Sequence, residues 1–212
     1  MSELITNKIT PSTGSSDTVT LGDSGDTFTI PSGVTMTNSG TATGFGGGIV
    51  KQVVQNHVDT ASSQSLSAAT ITNVSNLSAS ITPTSSSSKI LVAVRWNGEC
   101  TATQDLSFGL KRGVTDVGYA TAYSSAPRCI ATASIAYHLN DDSTQENAYF
   151  EYIDSPATAS AVTYYATARH ESGVTIYHNR CVSDSGGTGN PRATSSITLT
   201  ELTSATTQLN GS

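Results

Sequence analysis

Residues 147–202 read NAYFEYIDSPATASAVTYYATARHESGVTIYHNRCVSDSGGTGNPRATSSITLTEL, and this stretch decides the fold class of the chain. Apolar and polar residues alternate in four successive short runs, which is the period-two pattern of half-buried β-strands. The apolar positions that carry the pattern are Ala148, Phe150, Tyr152, Val162, Tyr164, Ala166, Ala168, Val174, Ile176, Ile197 and Leu199. The segments between the runs are rich in Gly, Pro, Ser, Asp and Asn, which favour turns. The stretch therefore predicts antiparallel strands joined by turns.

The residues before this stretch continue the same pattern. The segment Lys89–Gly98 (KILVAVRWNG) is the most hydrophobic strand candidate, and its alternation predicts that Trp96 lies in the core. Further strands are predicted at 49–58, 106–111 and 128–138. About eight strands at this spacing are typical of an antiparallel jelly roll or β-sandwich. All-β is therefore the predicted fold class.

Residues 59–88 carry a weaker signal. They are rich in Ser, Thr and Ala, with apolar residues only around 69–74 and 77–81. We expect a loop with one or two edge strands here.

The first 48 residues differ in composition from the rest of the chain. Short strand candidates at 18–21, 27–30 and 34–37 are separated by glycine-containing turns at a repeat of about nine residues, as in a solenoid coil or an extended arm. Each is too short to bury a core, so neighbouring copies of the chain are predicted to cover the apolar side chains. The predicted trimer- and virion-docking residues are Leu4, Ile5, Ile9, Leu21, Phe28, Ile30, Val34 and Met36. The predicted limits are an arm at 1–48, a β-domain at 49–203 and a tail at 204–212.

Composition and charge argue against several classes of function. The formal net charge is −6, and no Lys or Arg cluster is present to neutralise phosphates, so nucleic acid is not an expected partner. No apolar run approaches the ~18 residues of a membrane span, and the start lacks the pattern of a secretory signal. Membrane insertion is not expected. Cys100, Cys129 and Cys181 are far apart and are interpreted as buried free thiols.

Candidate chemistry is sparse. Gly22–Gly25 (GDSG) matches the residues around a serine-protease nucleophile, but no upstream histidine accompanies Ser24 as a general base. Asp23 and Asp26 offer oxygen ligands for Ca²⁺ without a calcium-loop pattern. We expect neither an enzyme nor a cofactor or metal site.

Histidine and tyrosine supply the remaining candidates. The histidines lie at His57, His138, His170 and His178 without metal-ligand spacing. They are interpreted as ordinary hydrogen-bonded histidines, and the alternative is that one of them meets its copies at a trimer axis and forms a metal site. Four tyrosines are candidates for stacking on sugar rings or for simple packing: Tyr119, Tyr123, Tyr165 and Tyr177.

Two segments resemble a known group of proteins. The amino-terminal text SELITNKITPSTGSSDTVTLGDSGDTFTIPSGVT closely resembles the start of fibre-like and minor structural proteins of marine tailed bacteriophages, including cyanophages. The text YIDSPATASAVTYYATARHESGVTIYHNR with the closing SSITLTEL is similar to the terminal β-domain of the same group. The resemblance implies a homotrimeric virion appendage, assembled in the host cytoplasm, with the arm docked on another capsid or tail protein. It implies no catalytic residues, and tail fibre and head decoration both stay open.

An outward β-domain would place host contacts on loops remote from the arm. The longest polar loop near the end of the β-domain is 183–192 (SDSGGTGNPR). The predicted receptor-contact residues are Tyr177, Asn179, Arg180, Asn190 and Arg192, with a host surface glycan as the partner. A purely decorative role is the alternative. Two alternative functions do not involve a virion: a free carbohydrate-binding module, and a serine hydrolase that uses Ser24.

Overall fold

The computed structural model describes residues 49–102, 105–133 and 144–203, together with positions 27, 29, 30, 32–35 and 37. Contacts divide the chain into two units, Met1–Gly47 and Gly48–Ser212. The predicted domain limits at 48 and 203 stay a prediction. Each unit is taken by itself below.

The described positions of the first unit are all exposed, and none of them lies in a strand. The short strands predicted at 27–30 and 34–37 are therefore not formed at these positions. Ser32 and Gly33 form the expected turn, in which Gly33 has a φ of 85° that glycine adopts without strain. Ile30 and Val34 are 37% and 60% exposed. The other predicted docking residues (Leu4, Ile5, Ile9, Leu21, Phe28 and Met36) lie outside the described residues.

The second unit is built of β-strands joined by turns and loops, and its described residues contain no helix. The all-β prediction is confirmed, whereas the jelly-roll topology and the trimer stay predictions. The strands are β1 (Val50–Val58), β2 (Ser62–Leu66), β3 (Thr72–Ile81), β4 (Lys89–Cys100), β5 (Ser107–Arg112), β6 (Thr115–Val117), β7 (Ala131–Thr132), β8 (Glu146–Asp154), β9 (Val162–Arg169), β10 (Val174–His178) and β11 (Ser195–Leu202).

Two antiparallel sheets share these strands. The first sheet has six strands, β1, β11, β4, β10, β2 and β8, and the second has five, β3, β9, β5, β6 and β7. β4 organises the first sheet because it pairs with β8 along one edge and with β11 and then β10 along the other. The predicted edge strands within 59–88 are β2 and β3, each at the end of its sheet.

The core lies between the inner faces of the two sheets. Ile90, Val92, Val94 and Trp96 of β4 are all fully buried, because successive side chains of a strand point to opposite faces. The Trp96 ring lies 4.8 Å from the Phe108 ring of the second sheet, measured between ring centroids. The prediction that Trp96 is a core residue is confirmed.

The strand predicted at 128–138 is described only as far as residue 133. Within 128–138, the described residues form only β7 (Ala131–Thr132), which pairs with Ser107 and Phe108 of β5. Positions 134–138 lie outside the described residues.

Candidate functional site

The predicted receptor contact at the end of the chain contains one aromatic–cation pair. Tyr177 lies on β10, and the Arg180 guanidinium stacks over its ring at 4.2 Å from the ring centroid. Arg180 also donates to the carbonyl oxygens of Cys181 and Val182 at 3.2 and 3.4 Å. Both side chains are half-buried. Tyr177 and Arg180 therefore form a small amphipathic patch whose guanidinium group is already occupied by contacts within the protein.

Asn179 does not belong to this patch. Its side chain is fully buried, and its amide nitrogen donates to the carbonyl oxygens of Val58 and Thr60 at 2.9 and 3.1 Å. Its amide oxygen accepts from Ser195 Oγ at 2.7 Å. The prediction of Asn179 as a contact residue is wrong, because this side chain satisfies the backbone after β1 and has no surface to offer.

The 183–192 loop holds its charged groups in internal pairs. Arg192 donates twice to the carboxylate of Asp184, at 2.6 and 2.7 Å. The amide oxygen of Asn190 accepts from Ser185 Oγ at 3.1 Å. Arg192 is exposed and Asn190 is half-buried. A ligand that used either side chain would have to compete with these contacts.

A more open surface lies on the outer face of the six-stranded sheet. The strand register aligns His57, Ser196, Arg95 and Tyr149 in one row across β1, β11, β4 and β8. On each of these strands, the side chain in this row points away from the core. His57, Arg95 and Tyr149 are exposed, and Tyr149 keeps 58% of its surface open.

The next row gives this surface its shape. Gln55, Thr198, Ala93 and Glu151 are aligned across the same four strands. Small side chains occupy the two central strands and large ones stand on either side, so a groove of about 370 Å³ forms between them. We call it the sheet-face groove, and it is lined by Gln55, His57, Ala93, Arg95, Tyr149, Ser196 and Thr198.

Hydrogen bonds fix part of the lining and leave part of it open. Arg95 Nη2 donates to Thr194 Oγ1 at 3.1 Å, and Gln55 Nε2 donates to Thr198 Oγ1 at 2.8 Å. The Tyr149 hydroxyl donates to Glu151 Oε2 at 3.0 Å, and this bond raises the pKa of Tyr149. Arg95 and Gln55 both line the groove, and each has one polar group held by these hydrogen bonds.

Sequence reasoning missed the sheet-face groove. The alternation in 49–58, 89–98 and 147–202 indicated which residues point outward on each strand. It did not show that β1, β11, β4 and β8 are neighbours in that order, because adjacency is set by long-range pairing. The only signal was polar or aromatic residues at outward positions of several strands.

A second groove, of about 510 Å³, lies at the end of β5. Its lining includes Leu106, Pro127 and Cys129 together with Arg169, which forms an ion pair with Glu171 at 2.6 Å. The lining also includes Asp105 and Ala133, which adjoin positions 103–104 and 134–143, outside the described residues. The groove therefore has no defined boundary.

The buried polar groups serve the fold. Glu201 is fully buried and accepts hydrogen bonds from Ser88, from Thr84 and from Gln52. Burial alone would raise its pKa, but these bonds outweigh it and lower the pKa to about 2. Asp154 accepts from Arg112 and from the Tyr164 hydroxyl at 2.8 and 2.7 Å.

The other predicted candidates lie apart from one another. Cys100 and Cys181 are buried as expected, whereas Cys129 is only half-buried. His57 is exposed while His170 and His178 are buried. Across residues 49–102, 105–133 and 144–203, no three His, Cys, Asp or Glu side chains are grouped as metal ligands.

Four of the candidates singled out from the sequence cannot be placed. Ser24, Asp23, Asp26 and His138 all lie outside the described residues.

Of the candidate tyrosines, Tyr123 is 81% exposed, and the Tyr119 hydroxyl is hydrogen-bonded to Thr167 Oγ1 at 2.8 Å.

The part of the chain that the structure describes contains no helix long and apolar enough to cross a membrane. No protein-family model matches the sequence, and a search of curated proteins gave no match.

Proposed function

We propose that this chain is a structural protein of a bacteriophage particle. It forms a homotrimeric, fibre-like appendage that docks through its amino-terminal arm and presents its β-domain outward. The proposal starts from the resemblance of the two quoted segments to fibre-like and minor structural phage proteins. An all-β domain with antiparallel sheets is compatible with that role.

The observation that carries the proposal is a set of exposed apolar side chains on either side of the junction between the two units. Ile30 and Val34 precede the junction, and Ile49, Val50 and Val53 follow it at 65%, 52% and 58% exposure. Exposed apolar side chains so close together in the sequence favour burial against another chain. Copies of the same chain, or the protein on which the arm docks, would provide that cover.

The β-domain contributes a rigid scaffold. Its core strand β4 is hydrogen-bonded on both edges, so the outer-face side chains are held by the sheet and not by loops. Binding surfaces built on strands keep their geometry with little loss of conformational entropy. Repetition of one weak contact in three copies would then raise the overall affinity.

Light scattering of the purified chain at micromolar concentration tests the assembly. We expect three times the mass of one chain, and a monomer would contradict the proposal. Gold-labelled antibodies against the chain should decorate purified virus particles. Label on the capsid would identify a head decoration and label on the tail a fibre, whereas unlabelled particles would reject a virion role.

The sheet-face groove favours a second candidate, a carbohydrate-binding module that acts free of any particle. Its open aromatic ring and planar polar side chains are of the kind found in ligand sites. A monomeric chain that binds glycans would favour this candidate over the appendage.

A further inference from the structure

We propose that the sheet-face groove binds an oligosaccharide that carries a carboxylate, such as a uronic-acid or sialic-acid unit. Arg95 would hold the carboxylate and the ring of Tyr149 would support an apolar face of the sugar. The proposal does not depend on a virion role, because the groove lies entirely within the second unit.

The shape of the groove suits a sugar chain. The small side chains Ala93, Ser196 and Thr198 form its floor, and His57 and Tyr149 stand at opposite ends of the first row. A volume of about 370 Å³ falls within the range of ~300–1,000 Å³ typical of small-ligand sites.

Tyr149 provides the apolar contact. Tyr149 as a whole is 58% exposed although it neighbours Arg95 on the adjacent strand. The hydrogen bond from its hydroxyl to Glu151 at 3.0 Å restricts the rotation of the side chain. A ring that is already held in place costs less entropy when a sugar packs against it.

The charge of the lining favours an acid. The whole chain has a formal net charge of −6, yet the seven lining residues include Arg95 and no carboxylate. One guanidinium nitrogen is anchored on Thr194, which leaves further N–H groups for a carboxylate. Arginine binds carboxylates through paired, charge-assisted hydrogen bonds. The nearest carboxylate along the rows is Glu151, which is aligned with Ala93 across β4 and β8 and accepts from the Tyr149 hydroxyl.

The remaining polar groups match sugar hydroxyls. The amide nitrogen of Gln55 is held by Thr198 at 2.8 Å, so its amide oxygen is left as an acceptor. The His57 ring and the Ser196 hydroxyl line the same groove. Planar polar side chains that surround one aromatic ring fix the orientation of a ligand.

A second copy of the chain is a poorer occupant of this groove. The cores of stable interfaces between copies are apolar and depleted in charge, whereas the first row is His57, Ser196, Arg95 and Tyr149. The exposed apolar side chains of β1 are Val50 and Val53, and Val53 precedes Gln55 by two residues on the same face of the strand, or about 7 Å at ~3.3 Å per residue. A contact between copies there would border the groove at Gln55, and the oligomeric state of Arg95→Gln tests whether it extends across the groove.

The test measures binding of the full-length chain to immobilised glycans that include uronic-acid, sialic-acid and neutral oligosaccharides. We expect acidic members to bind and binding to weaken as salt is raised, since an exposed ion pair is screened. Arg95→Gln should weaken binding about tenfold or more, which is the usual loss of one charge-assisted contact. Tyr149→Ala should have a similar effect, whereas Tyr149→Phe should retain binding because the ring remains.

Matched controls separate the groove from the rest of the surface. Arg128→Gln and Val114→Ala remove an exposed arginine and an exposed apolar side chain outside the groove and should leave binding unchanged. Near-ultraviolet circular dichroism of the buried Trp96 confirms that each variant is folded.

Several results would overturn the proposal. They are the absence of binding to every acidic glycan, equal binding by wild type and both groove variants, and preference for neutral sugars that Arg95→Gln does not alter. A change of oligomeric state in Arg95→Gln without glycan binding in the wild type would assign the face to a second copy instead. None of these results depends on whether the chain is found on a particle.

Discussion

At the scale of single residues, the buried pair of Trp96 and His178 shows how a polar group is accommodated in the core. Trp96 Nε1 donates to His178 Nδ1 at 2.9 Å, and the rings meet edge to face at 89°. Because Nδ1 accepts this bond, the neutral ring carries its proton on Nε2. Burial lowers the pKa of His178 to about 4.

This pair predicts a loss of stability in mild acid. Above pH ~6.5 the ring is neutral in both the folded and the unfolded chain. Below that pH the unfolded chain takes up a proton that the folded chain accepts only near pH 4, so the contribution is lost between these two values. We expect the free energy of unfolding to fall by about 3 kcal/mol from this group between pH 7 and pH 4.

Urea unfolding at a series of pH values measures the effect. In His178→Gln the amide oxygen can still accept from Trp96, but the side chain binds no proton in this range. The variant should therefore lose about 3 kcal/mol less than the wild type over the same interval. Parallel pH profiles for the two proteins would show that His178 is not the group responsible.

At the scale of elements, Gly98 is the residue of β4 that has a partner strand on each edge, β8 on one and β10 on the other. This residue pairs with Glu146 of β8 and with His178 of β10. A Cβ added here would overlap the carbonyl oxygen of Tyr177 and stand 2.5 Å from the Trp96 ring. Only glycine allows β10 to approach this closely.

Gly98→Ala is predicted to destabilise the β-domain by at least about 2 kcal/mol, because the neighbouring backbone would have to move. Gly189→Ala is the matched control, since nothing lies within 4 Å of the Cβ it would add. Thermal unfolding of both variants checks the prediction. Equal melting temperatures would mean that β10 can shift away from β4 at little cost.

The elements also show how far the sequence alone leads. Strict alternation predicted β4 and β8–β11 because each has one face in the core. Of the strand predicted at 128–138, the described residues 128–133 form only β7, whose two residues are half-buried and exposed. Asn179 was misassigned because an Asn after a strand looks the same in sequence whether it faces solvent or binds the backbone. The order of the strands in the sheets cannot be predicted from the alternation of apolar residues, and the sheet-face groove depends on that order.

At the scale of the whole molecule, the second unit has its own core. The described core cluster runs from Leu66 to Leu199 and includes no residue of the first unit. Polar anchors close the same unit, since Glu201 on β11 binds Ser88 and Thr84, which lie between β3 and β4. The residues of this cluster and of these anchors all lie in the second unit.

Removal of residues 1–48 should therefore separate folding from assembly. We expect the truncated chain to unfold at the same temperature as a monomeric reference of the full chain, because its core and anchors are intact. We also expect it to sediment as a smaller species, because it lacks Ile30 and Val34, which are exposed in the single chain and are predicted to be covered by other copies. Sedimentation velocity over a range of concentrations measures the assembly, and the double substitution Ile30→Asp and Val34→Asp in the full chain is the matched variant. A truncated chain that still sediments as a trimer would place the assembly interface on the β-domain, and one that fails to fold would show that the arm contributes to its core.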